Sequence, residues 1–236
     1  MILDPYRFAP AGGTDPYFAN VSLLLNPASP NNSTTFYDLS SNAHTLTRVG
    51  SPVHKTDITQ FTSSSIGTDN SSMSVNAPDN SVFDFGAGHY TIEAWIRHIS
   101  NYTNGGIFAK RANTAVYGPF CLYVFSGLRL GFLSSANGSN WGVNLTSSTN
   151  MGTTTWRHVA VDYDGTTVRL YLDGVVEASA TVSQTVMTNT DAVALCGQSA
   201  DGANSPEGRI GPARITKGVA RYAGAFTPPT AAFPTS

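Results

Sequence analysis

Residues 156–182 read W-R-H-V-A-V-D-Y-D-G-T-T-V-R-L-Y-L-D-G-V-V-E-A-S-A-T-V, three alternating apolar runs broken by two Asp-Gly pairs. Asp-Gly suits a two-residue hairpin turn because both central residues take positive φ. Asp164-Gly165 and Asp173-Gly174 therefore each predict a chain reversal, and the stretch predicts a three-stranded antiparallel meander. In its middle strand Val168, Leu170 and Leu172 fall on one face while Thr167, Arg169 and Tyr171 fall on the other. The third strand repeats the alternation with Val176, Ala178, Ala180 and Val182.

Upstream, Tyr90 to Ile99 (Y-T-I-E-A-W-I-R-H-I) carries Ile92, Ala94 and Ile96 on one face and Glu93, Trp95 and Arg97 on the other. Phe120 to Phe125 is apolar on both faces, as expected of a central strand between two covered surfaces, and Leu128 to Leu133 follows it across Ser126-Gly127. Between Ala77 and Gly88 the sequence permits one short helical turn, punctuated by Pro and Gly at its ends. Turn signals and short apolar runs alternate about every ten residues from Tyr17 to Ile215, with no helical pattern of ten residues. The predicted fold is all-β, a two-sheet antiparallel jelly-roll sandwich. Its organisation is read as an N-terminal arm, 1–16, and one domain, 17–236, that includes a Pro-rich tail.

A chain of 236 residues hides about 70% of its unfolded surface on folding, enough for a sizeable core without staples. Only 12% of the residues are charged and the net charge is −2. Nucleic-acid binding rests on Lys and Arg neutralising phosphates, so this balance argues against it. No apolar run of 18 residues or lipidation signal points to membrane insertion, and the opening M-I-L-D-P lacks the charged and apolar regions of a secretory peptide. Cys121 and Cys196 lie in apolar runs where a small thiol packs well, and are expected to be buried and free, with a disulfide the alternative.

Three blocks resemble the laminin-G-like jelly rolls of the concanavalin-A-like lectin and glucanase superfamily: F-D-F-G-A-G-H-Y-T-I-E-A-W-I-R, the hairpin beginning at Trp156, and G-R-I-G-P-A-R-I-T-K-G-V-A-R-Y-A-G-A-F-T-P-P. The opening D-P-Y-F-A-N-V-S-L-L-L and the closing R-I-T-K-G-V-A-R-Y…F-T-P-P further resemble the form of this domain in tailed-bacteriophage structural proteins. That resemblance implies a virion subunit (decoration, fibre or tail appendage) assembled in the host cytoplasm, with other virion proteins or copies of itself as partners.

The resemblance also frames the chemistry. Many relatives hold Ca²⁺ in a loop reading D-G-x-G-D-Y; here the loop reads I-G-T-D-N-S-S-M, and Gly211-Pro212 stands where an acidic pair would follow Ile210. Calcium takes six to eight oxygens, so Asp69 and Asn70 offer at most a weak site and no cofactor is expected. Glycosidase relatives carry E-x-D-x-x-E on one strand, which places three carboxylates on one face. Glu93, Glu177 and Glu207 do not form that pattern, and no G-x-S-x-G or H-E-x-x-H occurs. The expected function is non-enzymatic, with His158 packed in the core.

Aromatic rings remain as candidates, because sugar recognition commonly stacks an apolar ring face on an exposed Trp or Tyr. Trp95 and Trp156 are expected in the core. Trp141, in S-S-A-N-G-S-N-W-G-V-N, is expected to be reachable, with Asn140 beside it and Tyr102 and Tyr117 next to polar loops. These four are the candidate glycan contacts, and a lectin-like adhesin for host-surface glycan is the alternative function. In the flanks Tyr6, Phe8, Pro10 and Phe233 are the candidate assembly contacts, since rings among Pro and Gly residues cannot build a core of their own.

Overall fold

The computed structural model describes residues 13–69, 71–100, 104–183 and 185–236. Its strands are β1 (Val21–Leu25), β2 (Thr47–Val49), β3 (Val53–Lys55), β4 (Ser65–Asp69), β5 (Ser74–Ala77), β6 (Tyr90–His98), β7 (Gly105–Lys110) and β8 (Phe120–Phe125), then β9 (Arg129–Ser134), β10 (Val143–Asn150), β11 (Arg157–Tyr163), β12 (Thr167–Leu172), β13 (Val175–Thr181), β14 (Val193–Leu195) and β15 (Glu207–Lys217). The first sheet runs β13-β12-β11-β6-β15-β4-β3, with β1 also pairing β15, and the second runs β10-β9-β8-β7-β14-β5-β2. All pairings are antiparallel. The result is a jelly-roll-like sandwich with two short 3-10 turns among the described residues, Phe18–Asn20 and Ser81–Phe83, the second in the segment where the sequence allows one.

Period-two alternation decides which side chains meet between the sheets. Ile92, Ala94 and Ile96 of β6, Val159 and Val161 of β11, and Val168, Leu170 and Leu172 of β12 face Leu122, Val124, Leu130 and Phe132 of the second sheet in one buried cluster. Cys121 and Cys196 are free and buried.

Only one of the two Asp-Gly turns has the expected form. Asp173 and Gly174 take φ of 49° and 80°, the two-residue reversal. At Asp164 the connection is three residues, 164–166, with only Gly165 at positive φ. Asp164 Oδ1 accepts from the backbone N–H of Thr166 and Thr167 at 3.0 and 2.8 Å, and that side-chain bridge accommodates the extra residue.

Strand β15 is long because it serves two partners on one edge, β4 along its first half and β1 along its second. The ladder with β6 shifts between Ile210 and Ala213, at Gly211-Pro212. A proline has no N–H to give a ladder, and a bulge is where a sheet interior tolerates one.

Both described flanks fold back on the outer face of the first sheet. Tyr222 and Phe226 stack at 3.4 Å, and each ring meets Tyr171 and His158 edge-on. Phe233, expected at an assembly surface, is instead 3% exposed: it packs on Val21 and Leu24 of its own chain and lies 4.2 Å from the Arg214 guanidinium. The reason is β1, buried on both sides, whose outward Val21 and Leu24 need cover. Tyr6, Phe8 and Pro10 lie outside the described residues. Asp15, placed by the sequence reading in the arm, is buried and paired with Arg214 and Arg221, so the domain's contacts begin before residue 17.

Candidate functional site

Two loops of the second sheet bring Trp141 and Tyr117 together. Trp141 ends the β9–β10 connection and Tyr117 lies in the β7–β8 connection; their rings meet edge-on at 5.1 Å. Tyr117 is 37% exposed and Val116 beside it 40%, Trp141 is half-buried, and Asn140 is exposed. The β9–β10 loop is fixed by short polar side chains: Ser135 Oγ accepts from the Gly138 N–H at 3.0 Å, and Asn137 Oδ1 accepts from the N–H of Ser139 and Asn140 at 2.9 and 3.3 Å. Tyr102 lies outside the described residues.

The residue that joins these loops is one the sequence reading passes over. Arg111, at the end of β7, is buried, with its guanidinium carbon 5.6 Å from the centre of the Trp141 ring. Its Nε donates to the Gln198 carbonyl at 2.6 Å, Nη2 to Gln198 Oε1 at 3.2 Å, and Nη1 to the Val116 carbonyl at 3.4 Å. Gln198 in turn donates from Nε2 to the Asn104 carbonyl at 2.9 Å. One cation thus ties the β7–β8 and β14–β15 loops and holds an indole by cation–π attraction. Arg111 also lies over the Cys121 thiol; burial pushes that thiol up to about 11, with Arg111 opposing, so Cys121 stays protonated and inert near neutrality.

This arrangement supplies groups that can contact a ligand. It offers two ring surfaces, an exposed amide at Asn140 and a positive charge without a carboxylate partner among the described residues. Hydroxyl-rich ligands with an apolar C–H face match such a mixture of apolar wall and a few polar groups.

The carboxylates are committed elsewhere. Glu207 Oε2 accepts from Ser100 Oγ at 2.6 Å, and Glu177 Oε2 accepts from Ser148 Oγ and the Thr149 N–H at 2.7 and 2.8 Å. Glu93 is fully buried on the outer face of the first sheet, bonded to Arg214, to His158 Nε2 at 3.2 Å and to the Tyr222 hydroxyl. Burial works against its charge, yet Arg214 with His158 and Arg221 outweighs it and holds the carboxyl below its usual range. Asp162, on the same face, is shifted up: burial dominates over the bonds from the Ala223 N–H and the Tyr171 hydroxyl.

Asp69 sits exposed at the end of β4, opposite Glu207 across the ladder, and its Oδ1 accepts from Ser71 Oγ at 2.7 Å. Asn70 lies outside the described residues. Among the described residues no three His, Cys, Asp or Glu side chains gather as a metal would require. One carboxylate occupied by a hydroxyl, facing a second with no third, is a poor fit to the six to eight oxygens of calcium.

Trp95 and Trp156, expected in the core, part company. Trp95 is 7% exposed on the outer face of β6, whereas Trp156 precedes β11 and is half-buried at the surface. The W-R-H-V run looks like continuous strand, but pairing with β6 begins only at Arg157.

A family model described as the concanavalin A-like lectin/glucanases superfamily matches residues 68–221. The chain belongs to that superfamily. Among solved structures it is similar to the binding domain of Paraclostridial Mosquitocidal Protein 1, with a TM-score of 0.65 and 16% identity over 87% of this chain and 51% of that one. It is also similar to the binding domain of botulinum neurotoxin DC, solved with rat synaptotagmin II (TM-score 0.64, 15% identity) and with SialylT (TM-score 0.64, 16% identity), each covering 87% of this chain and 50% of the other. The chain therefore spans about half the length of these structures, and what they share with it is a lectin-like fold. A search of curated proteins finds no match.

Proposed function

We propose that this member of the superfamily is a non-enzymatic, calcium-independent carbohydrate-binding module that engages surface glycan through Trp141, Tyr117 and Asn140. The observation that carries the reading is the convergence of Trp141 and Tyr117 on the buried Arg111, which makes a rigid ring-bearing rim out of three loops. Pre-organised rings bind with little ordering cost. The solved structure of a similar domain with SialylT supports sugar recognition on such a frame, and the commitment of Glu93, Glu177 and Glu207 to hydrogen bonds supports binding without hydrolysis.

The setting we propose is a tailed-phage particle, as a decoration, fibre or tail-appendage subunit contacting other virion proteins or its own copies. The support is the resemblance of the two flanks to phage structural proteins. Those flanks meet in space: Asp15 of the D-P-Y segment pairs with Arg221 of V-A-R-Y at 2.7 Å.

A glycan array probed with the full chain and with Trp141→Ala tests the binding reading. The expected result is retention of one glycan class by the native chain, with more than tenfold loss in the variant; equal binding of both overturns it. Mass spectrometry of purified virions tests the setting, where a fixed copy number is expected and absence overturns it.

A further inference from the structure

A second group of rings lies on the opposite side of the sandwich from Trp141. Trp95 stands at the centre of the outer face of β6, with His158 of β11 opposite it in register and the Gly211-Pro212 bulge of β15 on its other side. Gly211 keeps the bulge flat: a Cβ there would lie 3.3 Å from Trp156 Cζ3, 3.3 Å from Trp95 Cβ and 3.4 Å from Gln60 Cβ. Trp156 thus reaches across to Gly211 beside Trp95. Phe61, held at φ 62° in the β3–β4 loop and 43% exposed, meets Trp95 edge-on at 5.3 Å.

Two polar features of this patch are incompletely matched among the described residues. Trp95 Nε1–H is buried without a hydrogen-bond acceptor among the described residues, an arrangement that leaves the desolvation cost of a donor uncompensated. Arg97, two residues along the same face, donates from Nε to the Thr154 carbonyl at 2.8 Å and meets no carboxylate among the described residues. Its cross-strand neighbour is Arg209, a like charge that Asp57 answers at 2.8 Å. Arg157, on the other flank, is answered by Asp173 at 2.7 Å. The patch therefore carries one uncompensated positive charge at its rim.

We propose that Trp156, Phe61, Trp95 and Arg97 form a second saccharide site, selective for sugars that bear a carboxylate. The rings of Trp156 and Phe61 receive the C–H face of the sugar above the buried indole of Trp95, which forms the floor of the site, and Arg97 pairs with the carboxylate. A planar guanidinium recognises a carboxylate through two parallel N–H donors, and the ligand removes the like-charge opposition of Arg97 and Arg209. The site stands apart from the rim at Trp141, on the other sheet, so each can fail without the other.

The chain contains three tryptophans, which gives each site its own reporter. The experiment titrates the full chain with 3′-sialyllactose, with a glucuronate-terminated tetrasaccharide and with lactose, following calorimetric heat and the three indole N–H resonances. At least one acidic saccharide is expected to bind at least tenfold tighter than lactose and to move the Trp95 and Trp156 resonances while leaving that of Trp141 in place. Trp156→Ala and Arg97→Gln are each expected to weaken acidic binding more than tenfold, Trp156→Phe to retain most of it, and Trp141→Ala to leave it unchanged. Absence of binding by both acidic saccharides, binding that moves only the Trp141 resonance, lactose as tight as the acidic sugars, or full affinity in Arg97→Gln would each overturn the proposal.

Discussion

Arg214 of β15 faces Glu93 of β6 directly across the ladder, and its Nε and Nη2 both reach Glu93 Oε1, at 2.9 and 2.7 Å. The remaining Nη1 reaches Asp15 Oδ2 at 2.9 Å. The three side chains are buried, so removing one leaves an uncompensated charge away from water. Such a break costs roughly 3–5 kcal/mol. Arg214→Met is expected to lower stability by about that amount, read from the midpoint of urea unfolding, whereas an unchanged midpoint would show that the cluster contributes nothing.

The same cluster sets where the domain has to begin. Asp15 accepts from Arg221 Nη1 and Nη2 at 3.1 and 2.7 Å; its burial opposes ionisation, but Arg221 and Arg214 hold the carboxyl below its ordinary range. A chain beginning at Gly13 keeps these bonds and one beginning at Tyr17 does not. The shorter chain is expected to unfold at lower denaturant, by the equivalent of roughly 3 kcal/mol.

Acid should act in two separate windows. His98 is buried with both ring nitrogens unpartnered among the described residues, and burial pushes its pKa from 6.5 down to about 4. The unfolded chain therefore takes up a proton below 6.5 that the folded chain refuses until about 4, so this contribution is full above pH 6.5 and falls as pH drops toward 4. Burial shifts His54 the same way, with the bond to the Thr35 carbonyl opposing. Glu93 and Asp15 are shifted down, so their stabilisation is present above the ordinary values of 4.5 and 3.8 and is lost only as pH falls through the folded values. Urea midpoints measured from pH 7.5 to 4 should decline below 6.5, and His98→Leu should flatten the decline between 6.5 and 4.

Gly174 combines φ of 80° with a close approach: a Cβ would stand 1.9 Å from the Phe226 carbonyl oxygen, beside the bond from the Phe226 N–H to the Gly174 carbonyl at 2.9 Å. Gly174→Val should cost about 1–3 kcal/mol in backbone strain alone. It should also lift the closing segment from Tyr171, so faster chymotryptic cleavage near Tyr222 and Phe226 is expected, with cleavage at the native rate counting against this contact.

Chelation should change nothing. A ligand alters stability only where it prefers the folded state, and among the described residues the Asp69 loop presents too few oxygens to hold calcium. EDTA is expected to leave the melting temperature in place; a drop of several degrees, restored by Ca²⁺, would show a site assembled from other atoms.

The β-alternation in Y-T-I-E-A-W-I-R and V-R-L-Y-L was readable because a pleated strand sorts neighbours onto opposite faces whatever their distant partners are. The same rule could separate Glu93 from Ile92 but could not say what Glu93 meets, since Arg214 lies 121 residues away and only the strand order brings them together. Trp141 was visible as a ring in a loop. Arg111 was not, because a cation after an apolar strand usually marks a return to solvent, and here it turns inward to carbonyls of a loop some 87 residues later. Trp156 was misplaced for a local reason: pattern alone does not show where pairing stops. Phe233 was misplaced because the outward side of β1 reads, in sequence, like any other apolar run.

The Asp15 N–H donates to the Ser236 carbonyl at 2.8 Å, so the two described ends of the chain touch. Anything attached before residue 13 and after residue 236 departs from a single corner, beside the tail that covers β1. Mechanical load passing along the chain would enter and leave there, with the sandwich hanging to one side of the line of force like a pendant. A short linker from Ser236 to Gly13, with new ends opened between Gly165 and Thr166, should accordingly give a circular permutant of the same fold.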